Sequence, residues 1–315
     1  MKQTKSLKSV LALGVLASLA ACSPTQKGSS LNTSAESKSI IGGSPVTDAD
    51  VIGDTKIPST IASSTVAILT LVRMAPNSAP SAEKKDTPQM RPMDAQTDAK
   101  EPQIMQFTCT GSLLANNVVL TAGHCVYKAQ PGEKVMTVIV FTKDINTAQK
   151  EDIRVVTQAL VHPDYNKTGE HGEDMNDVAL MKFSGPLASG YKVANFLQDE
   201  SVLTNQGIVT LAGYGLTDGV NKTSDNILRK VDVKIAGAFG KTEVVLDQSQ
   251  GKGACHGDSG GPAFVTVNNI EYVWGITSRG IGKDGADDCS LYAIYTRVKQ
   301  QETFIQSALK TLQQK

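Results

Sequence analysis

A mainly β fold, a barrel or a sandwich, is what this sequence predicts, and three observations carry the prediction. Short β-type runs recur along the chain with turn signals between them. Twenty-seven glycines against 15 aromatics (7 Phe, 7 Tyr, 1 Trp) favour many turns over long helices. Helical periodicity is strong only near the C-terminus. The runs are, in order, residues 65–72 and 107–121, then VMTVIVF (135–141), IRVVTQALV (153–161), DVALMKF (177–183), GIVTLAGYG (207–215), LRKVDVKI (228–235) and EYVWGITS (271–278). After them Val298, Phe304, Ile305, Ala308, Leu309 and Leu312 mark one apolar face at helical spacing, with Lys and Gln elsewhere. There is no repeat of solenoid type.

The 315 residues allow one large or two ordinary domains. With 40% apolar and 20% charged residues, a sizeable core is possible and global disorder is excluded. Lys plus Arg equals Asp plus Glu, at 31 each. That balance provides no basic field, so neither nucleic acid nor direct attraction to an anionic membrane is expected.

The N-terminus reads as an export signal. Lys2, Lys5 and Lys8 form a positive region, and residues 10–20 are an apolar run too short to span a bilayer. The run ends in Leu19-Ala20-Ala21-Cys22, which resembles the bacterial lipobox. That resemblance implies removal of residues 1–21 and acylation of Cys22, so that acyl chains rather than a transmembrane helix anchor the protein. The tight three-part spacing favours this over an ordinary cleavable signal followed by a chance cysteine. Ser23, in place of Asp, matches lipoproteins that leave the inner membrane. Localisation is therefore expected at the bacterial outer membrane or cell surface, or in the periplasm or medium after release.

Residues 23–39 are almost free of apolar side chains and read as a flexible linker. Export makes disulfides permissible. Setting Cys22 aside leaves Cys109, Cys125, Cys255 and Cys289, which allow three connectivities. Their spacing does not resemble a zinc site, and no metal or cofactor is expected. Residues 74–103 hold five of the twelve prolines. They read as an exposed insertion between neighbouring strands rather than a domain boundary, so residues 40–315 form one functional unit.

The chemistry concentrates in three places: Leu-Thr-Ala-Gly-His-Cys at 120–125, Asn-Asp-Val-Ala-Leu at 176–180 and Cys-His-Gly-Asp-Ser-Gly-Gly-Pro at 255–262. A serine hydroxyl is a poor nucleophile at neutral pH and needs a base. The base in turn needs a carboxylate to hold its tautomer. His124, Asp177 and Ser259 supply those three roles. Taken singly, each motif has a bland reading as a packed histidine or a tight turn. In this order, in an exported chain with paired cysteines, the joint reading prevails. Gly257 to Gly261 also fits the G-x-S-x-G elbow of α/β-hydrolases, but that fold places its histidine after the serine. Here His124, His162, His171 and His256 all precede Ser259.

From Ile40 to the C-terminal helix the chain resembles the trypsin-like (chymotrypsin-fold) serine proteases. The matching motifs are the three above, Ile-Ile-Gly-Gly at 40–43 and Tyr-Thr-Arg-Val at 295–298. The resemblance implies an all-β fold of two six-stranded antiparallel barrels with a C-terminal α-helix, and a monomeric endopeptidase acting on proteins or peptides. The alternative is a protease-like binding module without turnover, which occupation of all three triad positions disfavours. The resemblance pairs Cys109 with Cys125 and Cys255 with Cys289. It assigns the Gly257 and Ser259 N–H groups to an oxyanion hole. It gives Ser278 the role of supporting Asp177 and of binding substrate backbone together with Gly280.

The family usually has Trp after that serine, and here the residue is Arg279. Gly253 stands where enzymes specific for basic side chains carry Asp. With Ala254 and Ala293 it predicts an uncharged specificity pocket for apolar side chains, unless Asp287 or Asp288 reaches in. The family's zymogen logic implies cleavage before Ile40 by an activating protease, and pairing of the new amino terminus with Asp258. The insertion 74–103 would flank the leaving-group side of the cleft. His256 would lie at the pocket rim without a catalytic role, His162 in a structural turn, and residues 170–174 in a solvated acidic loop.

Overall fold

Alternation of apolar and polar side chains builds two barrels. In LRKVDVKI, Arg229, Val231, Val233 and Ile235 point inward, while Lys230, Asp232 and Lys234 face outward or sit at the edge. Period-2 burial of this kind is what a sheet with one wet face requires. The structure is a computed structural model that describes residues 40–52, 55–74, 91–92 and 103–314. The expected signal peptide, Cys22 and linker lie outside the described residues, as does most of the insertion 74–103.

The first barrel comprises β1 (Thr65–Arg73), β2 (Ile104–Ala115), β3 (Val118–Thr121), β4 (Lys134–Val140), β5 (Ile153–Val161) and β6 (Ala179–Phe183). Its strands run β1-β4-β5-β6-β3-β2, and β2 pairs back onto β1 to close it. The second comprises β7 (Ile208–Gly213), β8 (Arg229–Phe239), β9 (Glu243–Asp247), β10 (Pro262–Val267), β11 (Ile270–Ile281) and β12 (Tyr292–Arg297). Its order is β7-β10-β11-β12-β9-β8, closed by β8 against β7. The two orders are the same when counted from each barrel's first strand. All these pairings are antiparallel. The fold is therefore the expected pair of closed six-stranded barrels.

Each barrel has its own core. Ile68, Leu113, Leu120, Ile139 and Leu180 fill the first, and Leu211, Leu246, Trp274 and Tyr295 the second. The C-terminal helix (Glu302–Gln313) buries Ile305, Ala308 and Leu312 in the first barrel's cluster. Lys182 on β6 fixes its end by donating from Nζ to Leu312 O at 2.6 Å. No helix among the described residues is long and apolar enough to cross a membrane.

Two differences from the sequence reading stand out. The apolar run 107–121 is not one strand, because a turn at Asn116 and Asn117 splits it into β2 and β3. Strands β9, β10 and β12 are short, and β9 opens with a buried acid, Glu243, that breaks the apolar signature. Within the insertion, Arg91 and Pro92 pair with Gln106 and Met105 on β2.

The disulfides join Cys109 to Cys125, 16 residues apart, and Cys255 to Cys289, 34 apart. Closing the first loop contributes about 3 kcal/mol through the unfolded chain. Both bridges lie beside the three motifs, so they stiffen the region where the chemistry collects.

Candidate active site

His124 follows β3 in a single 3-10 turn, Gly123–Cys125, pinned by the disulfide at Cys125. Its Nδ1 lies 2.7 Å from Asp177 Oδ2, and its backbone N–H donates to Asp177 Oδ1 at 3.0 Å. Asp177 stands just ahead of β6 and is fully buried. Ser278, on β11 of the other barrel, donates from Oγ to Asp177 Oδ2 at 2.7 Å. Burial alone would push the Asp177 carboxyl up. The His124 charge and the hydrogen bonds from His124 and Ser278 outweigh it and hold the group below the ordinary carboxylate range.

Ser259 sits in a tight turn held from both barrels. Asp258 N–H donates to Cys255 O at 3.0 Å and Gly261 N–H to Asp258 O at 2.8 Å. Thr110 on β2 donates from its backbone to Ser259 O at 2.8 Å and from Oγ1 to Gly257 O at 2.9 Å. Gly257 (φ +96°) and Gly260 (φ +77°) take backbone conformations that L side chains rarely adopt. A Cβ at Gly260 would also lie 2.0 Å from Thr121 Oγ1. Among the described residues, the N–H groups of Gly257 and Ser259 donate to no other group. His124, Asp177, Ser259 and Ser278 line one cavity of about 280 Å³, together with Ala254, Gly280 and Ala293.

Gly253, expected at the pocket bottom, does not line that cavity. Its N–H donates to Ile41 O at 3.0 Å, and the space a side chain would need is filled by Gln248, with Oε1 2.1 Å from the would-be Cβ. Gln248 is buried. Its Oε1 accepts from Ala254 N–H at 2.6 Å, and its Nε2 donates to Cys289 O at 2.7 Å and Ala254 O at 3.1 Å. A glutamine amide thus braces the pocket wall, and no pattern in the sequence pointed to it.

Asp287 does reach the cavity. Its Oδ1 lies 2.7 Å from His256 Nε2, and its Oδ2 accepts from Lys222 Nζ at 2.8 Å. Burial pushes the His256 imidazole below its ordinary pKa against the pull of Asp287. The other histidines behave as expected. His162 accepts from Asp164 N–H at 3.0 Å within a turn, and His171 lies exposed on a loop where Glu173 accepts its N–H. The two Cys-His-Cys groupings, around His124 and His256, have their sulfurs in disulfides and offer no thiolate to a metal.

Behind the Ser259 turn, Asp258 is fully buried. Its Oδ1 accepts from Gly215 N–H and its Oδ2 from Cys255 N–H, both at 2.8 Å. Burial pushes its carboxyl up to about 7 against those two donors. Ile40 is buried in the second core with φ +52°, an uncommon conformation for a β-branched residue.

The chain is similar to several known proteases. A chymotrypsin from Phaedon cochleariae is 28% identical over 217 residues, covering 64% of this chain and 72% of that protein. Urokinase-type plasminogen activator from Gallus gallus is 30% identical over 232 residues, 66% of this chain and 52% of its own length. Chymotrypsin-like elastase family member 1 from Rattus norvegicus is 30% identical over 207 residues, 61% and 74% of the two chains. The trypsin family profile matches residues 82–305, well over half of the sequence, and the chain belongs to the trypsin-like serine protease family.

Proposed function

We propose that the chain is an endopeptidase working through His124, Asp177 and Ser259. The observation that carries this reading is the 2.7 Å contact of His124 Nδ1 with buried Asp177, with His124 and Ser259 on the wall of one cavity. Ser259 Oγ attacks the substrate carbonyl carbon while His124 Nε2 takes its proton. The resulting oxyanion accepts hydrogen bonds from the Gly257 and Ser259 N–H groups. His124 then returns the proton to the leaving amine, and an acyl ester remains on Ser259. Water repeats the sequence, with His124 again as base, to release the acid.

The preferred side chain at the cleaved bond is apolar and of modest size. Ala254, Gly280 and Ala293 bring no charge to the wall they form. Asp287 Oδ1 faces the His256 ring and Oδ2 the Lys222 ammonium, so the carboxylate on this wall of the cavity is already engaged. A buried Lys or Arg of the substrate would lack a free counter-charge, which is costly.

Activation fits a cut before Ile40. The Asp258 carboxylate is buried with two amide donors and, among the described residues, no cation beside it. A new ammonium at Ile40 would supply one. The same cut would free the enzyme from an acylated Cys22. Ser39 precedes the bond, so the activating protease is not one that cuts after basic residues unless trimming follows.

The deciding experiment is casein hydrolysis by the processed protein and by Ser259→Ala. Activity is expected to vanish in the variant, and equal activity in both would sink the triad. Retained casein binding without turnover in the unsubstituted protein would favour a binding module. N-terminal sequencing of the active form tests the cut, and an active form still carrying residues 23–39 would end that part of the reading.

A further inference from the structure

Arg279 follows Ser278 on β11, and neighbouring residues of a regular strand point to opposite faces. Here the pairing of β11 with β12 slips between Thr277 and Arg279. Such a bulge re-aims side chains. As a result Arg279 Nη1 donates to Ser278 Oγ at 3.1 Å, the same oxygen that donates to Asp177.

The guanidinium is not loose. Nη1 and Nη2 donate to the two carboxylate oxygens of Glu243 at 2.7 and 2.8 Å, a bidentate pair with a fully buried acid. Nη2 also donates to Gly172 O at 2.8 Å, on the first-barrel segment that leads to Asp177. Glu243 Oε2 in turn accepts from Asp174 N–H at 2.9 Å. That segment needs holding, because Asp174 (φ +58°) and Asn176 (φ +55°) both sit in the left-handed region.

The hydrogen count fixes the direction of the chain of bonds. Arginine can only donate, and a serine hydroxyl has one proton and two lone pairs. The ionised Asp177 can only accept, so the Ser278 proton lies toward Asp177 Oδ2, and Arg279 fills a lone pair on the same hydroxyl. A donor at one end of such a chain also strengthens the next bond.

We propose that Arg279, clamped by Glu243, is a positioning residue that holds Ser278 Oγ in its donation to Asp177 and so fixes the carboxylate that orients His124. The proposal rests on the reading of His124, Asp177 and Ser259 as the reacting groups. The competing account is a salt bridge within the second barrel that merely anchors the Gly172–Asp174 segment of the first. The two differ in whether Arg279 acts through Ser278.

A double-mutant cycle on the processed enzyme separates them, read with a small ester whose acyl group fills only the specificity pocket. Arg279→Met is expected to lower kcat about tenfold with KM within about twofold, and to change kcat less than about twofold in a Ser278→Ala background. The same factor in both backgrounds, or a loss confined to KM, overturns the proposal. If Arg279→Met fails to fold because Glu243 is left buried alone, the paired change Arg279→Met with Glu243→Met replaces it in both backgrounds. An apolar pair of similar volume is commonly tolerated at such a site. Ser259→Ala completes the set. If it leaves ester hydrolysis intact, the reading of the active site has failed. If it abolishes hydrolysis while the cycle is additive, only the role of Arg279 has failed.

Discussion

At the scale of single residues, the specificity pocket shows what a motif can and cannot convey. Gly253 is conspicuous in the sequence because it stands where an acid would give basic specificity. The structure moves the interest one layer back, to Gln248, whose amide occupies the space behind Gly253. Gly253→Asp is therefore expected not to confer cleavage after Lys or Arg. Its Cβ would meet the Gln248 side chain at 2.1 to 2.5 Å, so the protein should lose stability instead. A peptide library showing efficient cleavage after Arg by this variant would contradict that account. Gln248→Leu leaves Ala254 N–H, Ala254 O and Cys289 O without their amide partner. A loss of about 2–4 kcal/mol in denaturant unfolding, with a raised KM, is the expected result. His124, Asp177 and Ser259 were legible because their chemistry demands those residue types in recognisable local frames. Gln248 and the Arg279–Glu243 pair were not, because their partners are distant in sequence and meet only through the barrel register.

At the scale of elements, long alternating strands declared themselves and short ones did not. β8 alternates from Arg229 to Ile235, enough to read a period of two. β9 has five residues and begins on buried Glu243, so its role in closing the second barrel was invisible locally. The C-terminal helix was legible because its apolar face is regular, though its seat against the first barrel was not. That seat makes the helix a strap on a barrel whose strands end far earlier in the chain. Leu312 is fully buried at its last turn, beside the Lys182 hydrogen bond. Leu312→Ala should cost about 2–4 kcal/mol, the range for leaving a cavity in a packed core. The change should appear as a lower denaturant midpoint with little change in KM, since Leu312 does not line the cavity. A midpoint equal to the parent's would mean the helix does not depend on this contact.

At the scale of the whole molecule, two barrels of the same connectivity meet so that each contributes part of the site, His124 and Asp177 from one, Ser259 and Ser278 from the other. The Ser259 turn is the shared element, and Asp258 within it is the group that the proposed cut before Ile40 would engage. In the uncut chain Asp258 has its carboxyl raised to about 7 by burial, against about 4 in an unfolded chain. Between those values the folded state holds a proton that the unfolded state has released. Stability must then fall as pH rises from about 4 to about 7, by up to about 3–4 kcal/mol. Asp258→Asn removes the titration. It also places an amide between two N–H donors, so its absolute stability drops, but its slope over that window should flatten. Cleavage before Ile40 would change the sign of the problem. A buried ammonium paired with Asp258 holds the carboxylate ionised, and its stabilisation is lost only as pH rises through the amine's own raised pKa. Urea midpoints of the uncut Ser259→Ala chain, its Asp258→Asn derivative and the cleaved form, taken from pH 4 to 9, separate these cases. The uncut parent should weaken toward neutrality, and the cleaved form should hold until alkaline pH. If the uncut parent and Asp258→Asn show the same slope between pH 4 and 7, Asp258 is not the titrating group, and the electrostatic argument for activation at Ile40 falls with it.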